Sequence, residues 1–160
     1  MLLVSFALAA SPAPAAAVDL QRAVTAAAAQ YSVPAPMLLA IGWEASHLNP
    51  EASSEYGGYG IFGLREGAAA PNLEAASALI ETDPNRVMTD WRLSVRASAA
   101  LLAEAARLSN GGTLPAATDL DAWWDAVRAF SDAHNPEVQD RYASYIFKML
   151  RDGLELQTRW

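Results

Sequence analysis

The sequence predicts an all-α fold, a single domain of about six to seven helices with one long glycine-rich loop. Three observations carry that expectation. Apolar residues recur every three or four positions through most of the chain, the period of one helix face. No stretch alternates apolar and polar residues for long enough to make a half-buried strand. Proline, Asp or Asn, and glycine punctuate the chain where short helices start and stop. At 160 residues the chain suits one domain with its own core.

The elements follow in order. An alanine-rich helix is expected over Asp19–Gln30, opened by its aspartate, and Val33-Pro34-Ala35-Pro36 then breaks the chain. Pro36 suits the first turn of a second helix, Met37–Ser46, which Asn49-Pro50 should end because the residue before a proline avoids helical dihedrals. Residues 51–70 hold five of the nine glycines and no sustained period, so they read as a long loop with room for a short hairpin. A loop of that length within a compact domain marks function. Asn72 can cap a helix over Leu73–Glu81, and Asp83-Pro84 opens a short turn through Met88. Thr89 or Asp90 caps the most regular helix, whose core-facing positions should be Leu93, Ala97, Ala100, Leu101, Glu104 and Leu108, with Gly111-Gly112 as its stop. Thr118–Ala133 is expected to form another helix, burying Trp123, Trp124, Val127 and Phe130. Pro136 begins the last helix, with a stripe of Val138, Tyr142, Tyr145, Ile146, Met149 and Leu150 and a stop at Gly153.

Composition excludes several functions. A net charge of −7 rules out a basic nucleic-acid footprint. The absence of cysteine removes disulfides, thiol catalysis and cysteine zinc sites. His47 and His134 are far apart and lack ligand spacing, so neither metal nor cofactor is expected, and both read as surface or capping residues. Gly58-x-Gly60-x-x-Gly63 matches the letters of a dinucleotide fingerprint, but no strand precedes it and no helix opens on it. Met1–Ala10 is apolar or small, and Ala15 and Ala17 occupy the spacing of a signal-peptidase site. The expectation is therefore a signal segment at 1–17, a domain at 18–153, and a tail or the start of a linker at 154–160. Export to the periplasm, cell envelope or medium follows, with no transmembrane segment.

Two segments carry a family resemblance. Val33-Pro34, Leu38-Leu39-Ala40-Ile41, Ser46, Leu48-Asn49-Pro50 and the run Gly57–Leu64 fall on the pattern of one family, and Ala129-Phe130-Ser131 followed by Tyr142 and Tyr145 falls on its C-terminal part. Together they resemble the lytic transglycosylase branch of the lysozyme-like superfamily, over most of residues 20–153. More loosely, the run Asp83–Glu104, with Gly57-Gly58-Tyr59-Gly60 before it and Ala122–Ala133 after it, resembles the N-terminal region of secreted bacterial N-acetylmuramoyl-L-alanine amidases, in which a separate amidase domain follows. The resemblance implies a lysozyme-like fold, peptidoglycan glycan strands as partner, and cleavage through one carboxylic acid that protonates the glycosidic oxygen and then serves as base.

The departure lies at that acid. Aligned without gaps, the family's glutamate falls on Ala45 and its preceding glutamine on Glu44. Its loop glutamine falls on Gly63 and its asparagine on Ser131. One residue along a helix is about 100° of rotation, so a carboxylate at 44 should not point where one at 45 would. The expected substrate-binding set is Tyr56, Tyr59, Gly60, Phe62, Gly63, Phe130, Ser131 and Tyr142, with Glu44 as the candidate catalytic residue. Three functions stay open on the sequence: a glycan-binding module with lost or weakened catalysis, an active glycan-cleaving enzyme using Glu44, and a helical interaction domain unrelated to glycans.

Overall fold

A computed structural model describes residues 15–52, 57–67, 71–131 and 133–152. These residues are all-α apart from one small hairpin. The helices are α1 (Ala15–Tyr31), α2 (Ala35–Ser46), α3 (Leu73–Leu79), α4 (Pro84–Thr89), α5 (Trp91–Ser109), α6 (Trp124–Phe130) and α7 (Pro136–Asp152). The hairpin pairs β1 (Gly58–Tyr59) antiparallel with β2 (Leu64–Arg65), placing Gly58 opposite Arg65 and Tyr59 opposite Leu64.

Local chemistry sets most helix starts as the sequence predicts. The Asn72 side chain accepts from the Ala75 amide at 2.6 Å, and the Asp83 and Asp90 side chains accept from Asn85 and Arg92 at 2.7 and 2.9 Å. Each satisfies an amide that the first helical turn leaves without a partner. Pro36 sits in the first turn of α2. Helix α5 runs through the middle, packed against α1, α3, α4 and α6, while α7 closes over α2 and α6. The main core gathers Met37, Leu38, Ile41, Ile61, Leu102, Trp123 and Ile146, and a smaller one gathers Leu64, Leu73, Val87 and Ala97.

Several expectations need correction. Helix α1 starts at Ala15, because Ala15-Ala16-Ala17 are strong helix formers that extend it backwards. Asp19 therefore lies inside the helix, 3.5 Å from Arg22 one turn on. Helix α2 ends at Ser46 as expected, but what ends it is His47 in a left-handed conformation (φ 56°), with the Leu48 amide donating to the Gly42 carbonyl at 3.2 Å, rather than Asn49-Pro50. The expected helix over Thr118–Ala133 is a 3-10 turn, Leu120–Trp123, followed by α6. Trp123 anchors that turn, fully buried with its indole Nε1 donating to the Ala116 carbonyl at 3.0 Å.

The α5 stripe is also revised. Leu102 is fully buried, Leu101 and Glu104 are half-buried, and Leu108 is 76% exposed. A helix surrounded on several sides buries small residues all around it, so no single stripe describes it. Its last turn projects beyond the core. On α7 the buried residues are Ala143, Ile146 and Phe147, while Val138 and Tyr145 are 43% and 50% exposed. Phe147 turns inward against Trp124, ring centroids 5.1 Å apart. The expected stop at Gly153, the tail at 154–160 and most of the signal segment lie outside the described residues.

Candidate functional site

Helix α7 has a face at the edge of the core, from which Tyr142 packs partly against it while Val138, Arg141 and Tyr145 stay exposed. Val138, Arg141, Tyr142 and Tyr145 stand at i, i+3, i+4 and i+7, so they share one side of the helix. That side borders a groove of about 420 Å³, closed opposite by Glu44 from the end of α2 and by Ser131 just past α6. Glu44 is exposed, whereas Ser131 is buried and its hydroxyl accepts from the Ala133 amide at 3.2 Å. Among the described residues the groove thus offers one carboxylate, one guanidinium, one aliphatic hydroxyl, two phenol rings and a valine methyl surface.

The walls are tied together. Arg128 of α6 bridges to Asp140 of α7 at 2.6 Å and to Asp125 of its own helix at 3.2 Å. The Gln139 side-chain amide donates to the Ala133 carbonyl at 2.8 Å. These contacts tie α6 and Ala133 to α7, with Ser131 at the groove's edge. Asn135 caps the start of α7 through the Glu137 amide at 2.8 Å.

The sequence-predicted residues divide between this groove and other places. Glu44, Ser131 and Tyr142 come together in it. Phe62 is buried in the core and has no face to offer a sugar. Gly60 donates its amide to Ala52 at 2.9 Å, and a side chain there would meet Ser94 of α5 at 3.0 Å, so it packs inward. Tyr59 is half-buried, its hydroxyl reaching Glu66 at 3.5 Å. Gly63 borders Ala45: a Cβ built on it would lie 3.8 Å from the alanine methyl. Phe130 is buried and lines a separate apolar groove of about 450 Å³ with Leu79, Leu101 and Leu108. Among the described residues lining it the one ionisable group, Glu104, is 3.4 Å from Arg107. Tyr56 lies outside the described residues.

Adjacent positions on α2 therefore serve different neighbours. Ala45 looks to the glycine-rich loop and Glu44 to α6 and α7, as their rotation about the helix axis requires. Ser46 is a tie: its hydroxyl donates to the Ile61 carbonyl at 2.8 Å and accepts from the Asn49 amide at 3.2 Å. His47 closes α2 and stacks edge-on against Trp43 at 5.1 Å. Sequence reasoning missed Arg141 and assigned Val138 and Tyr145 to the core. The signal that could have found them is the polar-aromatic mixture at helical spacing, which a purely apolar stripe would lack.

Among the described residues no group of three or more His, Asp or Glu is placed to hold a metal, and no helix is long and apolar enough to cross a membrane. Comparison of the chain with protein-family models, with curated proteins and with solved structures finds no match.

Proposed function

We propose that this is a lysozyme-like module that recognises peptidoglycan glycan strands and has lost or weakened their cleavage. The observation that carries the reading is the groove in which Glu44 meets Ser131, Tyr142 and Tyr145. Hydroxyl-rich sugars bind through hydrogen bonds to polar groups and through their apolar faces to aromatic rings. This groove supplies both. The resemblance of Val33–Leu64 and Ala129–Tyr145 to lytic transglycosylases names the glycan.

The same geometry argues against efficient cleavage. A single-acid mechanism needs a carboxylic acid kept protonated by burial. Glu44 is exposed and shares its groove with Arg141, and the aligned acid position holds the methyl of Ala45. On this reading the chain acts in the cell envelope or outside it, followed by a separate amidase domain that supplies the hydrolytic chemistry.

Sedimentation with purified peptidoglycan tests the proposal. Wild-type protein should bind and release no anhydro-muropeptides, and Tyr145→Ala should weaken binding by about tenfold, or about 1.4 kcal/mol. Failure to bind the polymer would overturn it. One observation favours a second reading, an active enzyme: Glu44 lies in the same groove as Ser131 and Tyr142. Glycan digestion by the wild type that is abolished in Glu44→Gln would establish that reading instead.

A further inference from the structure

We infer that Arg141 makes this groove selective for acidic saccharides, sugars bearing a carboxylate, over neutral ones. The inference rests on the groove being a glycan site.

Arg141 is a cation with work left to do. Among the described residues it makes no ion pair. Its acidic neighbour in sequence, Asp140, is engaged by Arg128 at 2.6 Å, and Glu137 one turn earlier is not within ion-pair distance. The side chain projects from the same face of α7 as Tyr142 and Tyr145, into a groove where it is the only cation among the described residues. In a chain of net charge −7, a guanidinium without an ion pair among the described residues is the groove's feature that attracts an anion. A guanidinium presents a planar fork of donors that matches a carboxylate in two parallel hydrogen bonds.

Glu44 across the groove sets the pose. Its carboxylate accepts hydrogen bonds from sugar hydroxyls and repels a carboxylate brought close to it. A ligand therefore lies with its acidic substituent toward α7 and its hydroxyls toward α2. The groove reads both the presence of a carboxylate and the side of the ring that bears it.

Titration of the full chain with two tetrasaccharides tests this. One is a peptidoglycan tetrasaccharide stripped of its stem peptides, so that its lactyl carboxylates are free. The other is neutral chitotetraose. Wild-type protein should bind the acidic tetrasaccharide about fivefold more tightly, the upper range for an exposed ion pair, and the preference should fade with added salt. Arg141→Ala and Arg141→Gln should lose the preference and bind both sugars alike, with a circular dichroism spectrum and urea midpoint matching wild type to show that the variants are folded. Glu44→Gln should tighten binding of the acidic sugar, because it removes the like charge. Equal binding of both sugars by the wild type, or a preference that survives in both Arg141 variants, overturns the inference while leaving the glycan reading in place. Binding of neither sugar overturns both.

Discussion

Ala45 faces Gly63, with 3.8 Å between the alanine methyl and the place where a glycine side chain would begin. On the function proposed above, these are the positions where a lytic transglycosylase would carry a glutamate and a glutamine, so the two smallest residues meet where that reading would place chemistry. Glu44, one residue back, serves the groove under α7 instead.

That relationship predicts a gain of function. Ala45 is exposed, so Ala45→Glu should fold with stability within about 0.5 kcal/mol of wild type. It places a carboxylate beside the glycine-rich loop. General-acid catalysis contributes roughly 10²–10⁴-fold from a protonated acid, and an exposed carboxyl is protonated only in acid, so slow release of anhydro-muropeptides below about pH 5 is the expected result, absent in wild type and in Ala45→Gln. Identical silence from all three proteins would show that position 45 is not the acid position.

The revised burial of α5 separates two leucines on one helix. Leu102 is fully buried, and Leu102→Ala should cost about 2–5 kcal/mol through lost transfer energy and a cavity. Leu108 is 76% exposed, and Leu108→Ala should change stability by less than about 0.5 kcal/mol. Urea denaturation midpoints compare them; similar losses at both positions would contradict the burial assigned to this helix.

Ser98 is fully buried on α5 and, among the described residues, its hydroxyl has no hydrogen-bond partner. An unsatisfied buried hydroxyl costs about 1–3 kcal/mol, and alanine is the better helix former. Ser98→Ala should therefore raise thermal stability, by about 1 kcal/mol. A lowered midpoint would mean that the hydroxyl is satisfied by an ordered water.

Asp152 ends α7, where the helix dipole disfavours a negative charge. A hydrogen bond from Lys148 one turn back, and then its charge, hold the Asp152 carboxyl below its ordinary value of 3.8. The folded value lies below the unfolded one, so the pair's contribution is present above the unfolded value and is lost as pH falls through the folded value. The pair is exposed, which keeps that contribution small. Carboxyl-carbon NMR titration should give Asp152 a midpoint under 3.8 that rises in Lys148→Ala; a wild-type midpoint at or above 3.8 contradicts the pairing.

What the sequence made legible was local. Asn72, Asp90, Pro36 and Pro136 act within one turn of their own positions, so caps and starts were readable without knowing any neighbour. The faces of α5 and α7 were not, because burial depends on how many helices surround each. Leu108 looks like a core leucine until it is seen at the open edge of a groove beside Phe130, and Tyr145 looks like core until α2 is placed opposite. Glu44, Ser131 and Tyr142 were singled out by resemblance, while Arg141 joined them only through the apposition of α2, α6 and α7, which no spacing within a single helix encodes.

Gly42 lets the hairpin rest directly on α2. A Cβ at that position would lie 2.9 Å from both Ile61 Cγ2 and Leu48 Cδ2 and 3.4 Å from the Phe62 ring. Two-residue strands have too few ladder bonds to persist alone. Their order is thus inherited from the helix beneath, through this missing side chain and the Ser46 bond to Ile61. The last turns of α2 and the hairpin form one opening unit, whose amides should exchange with solvent together. Any ligand that braces Glu44 at the end of α2 would slow that exchange in a loop it never touches.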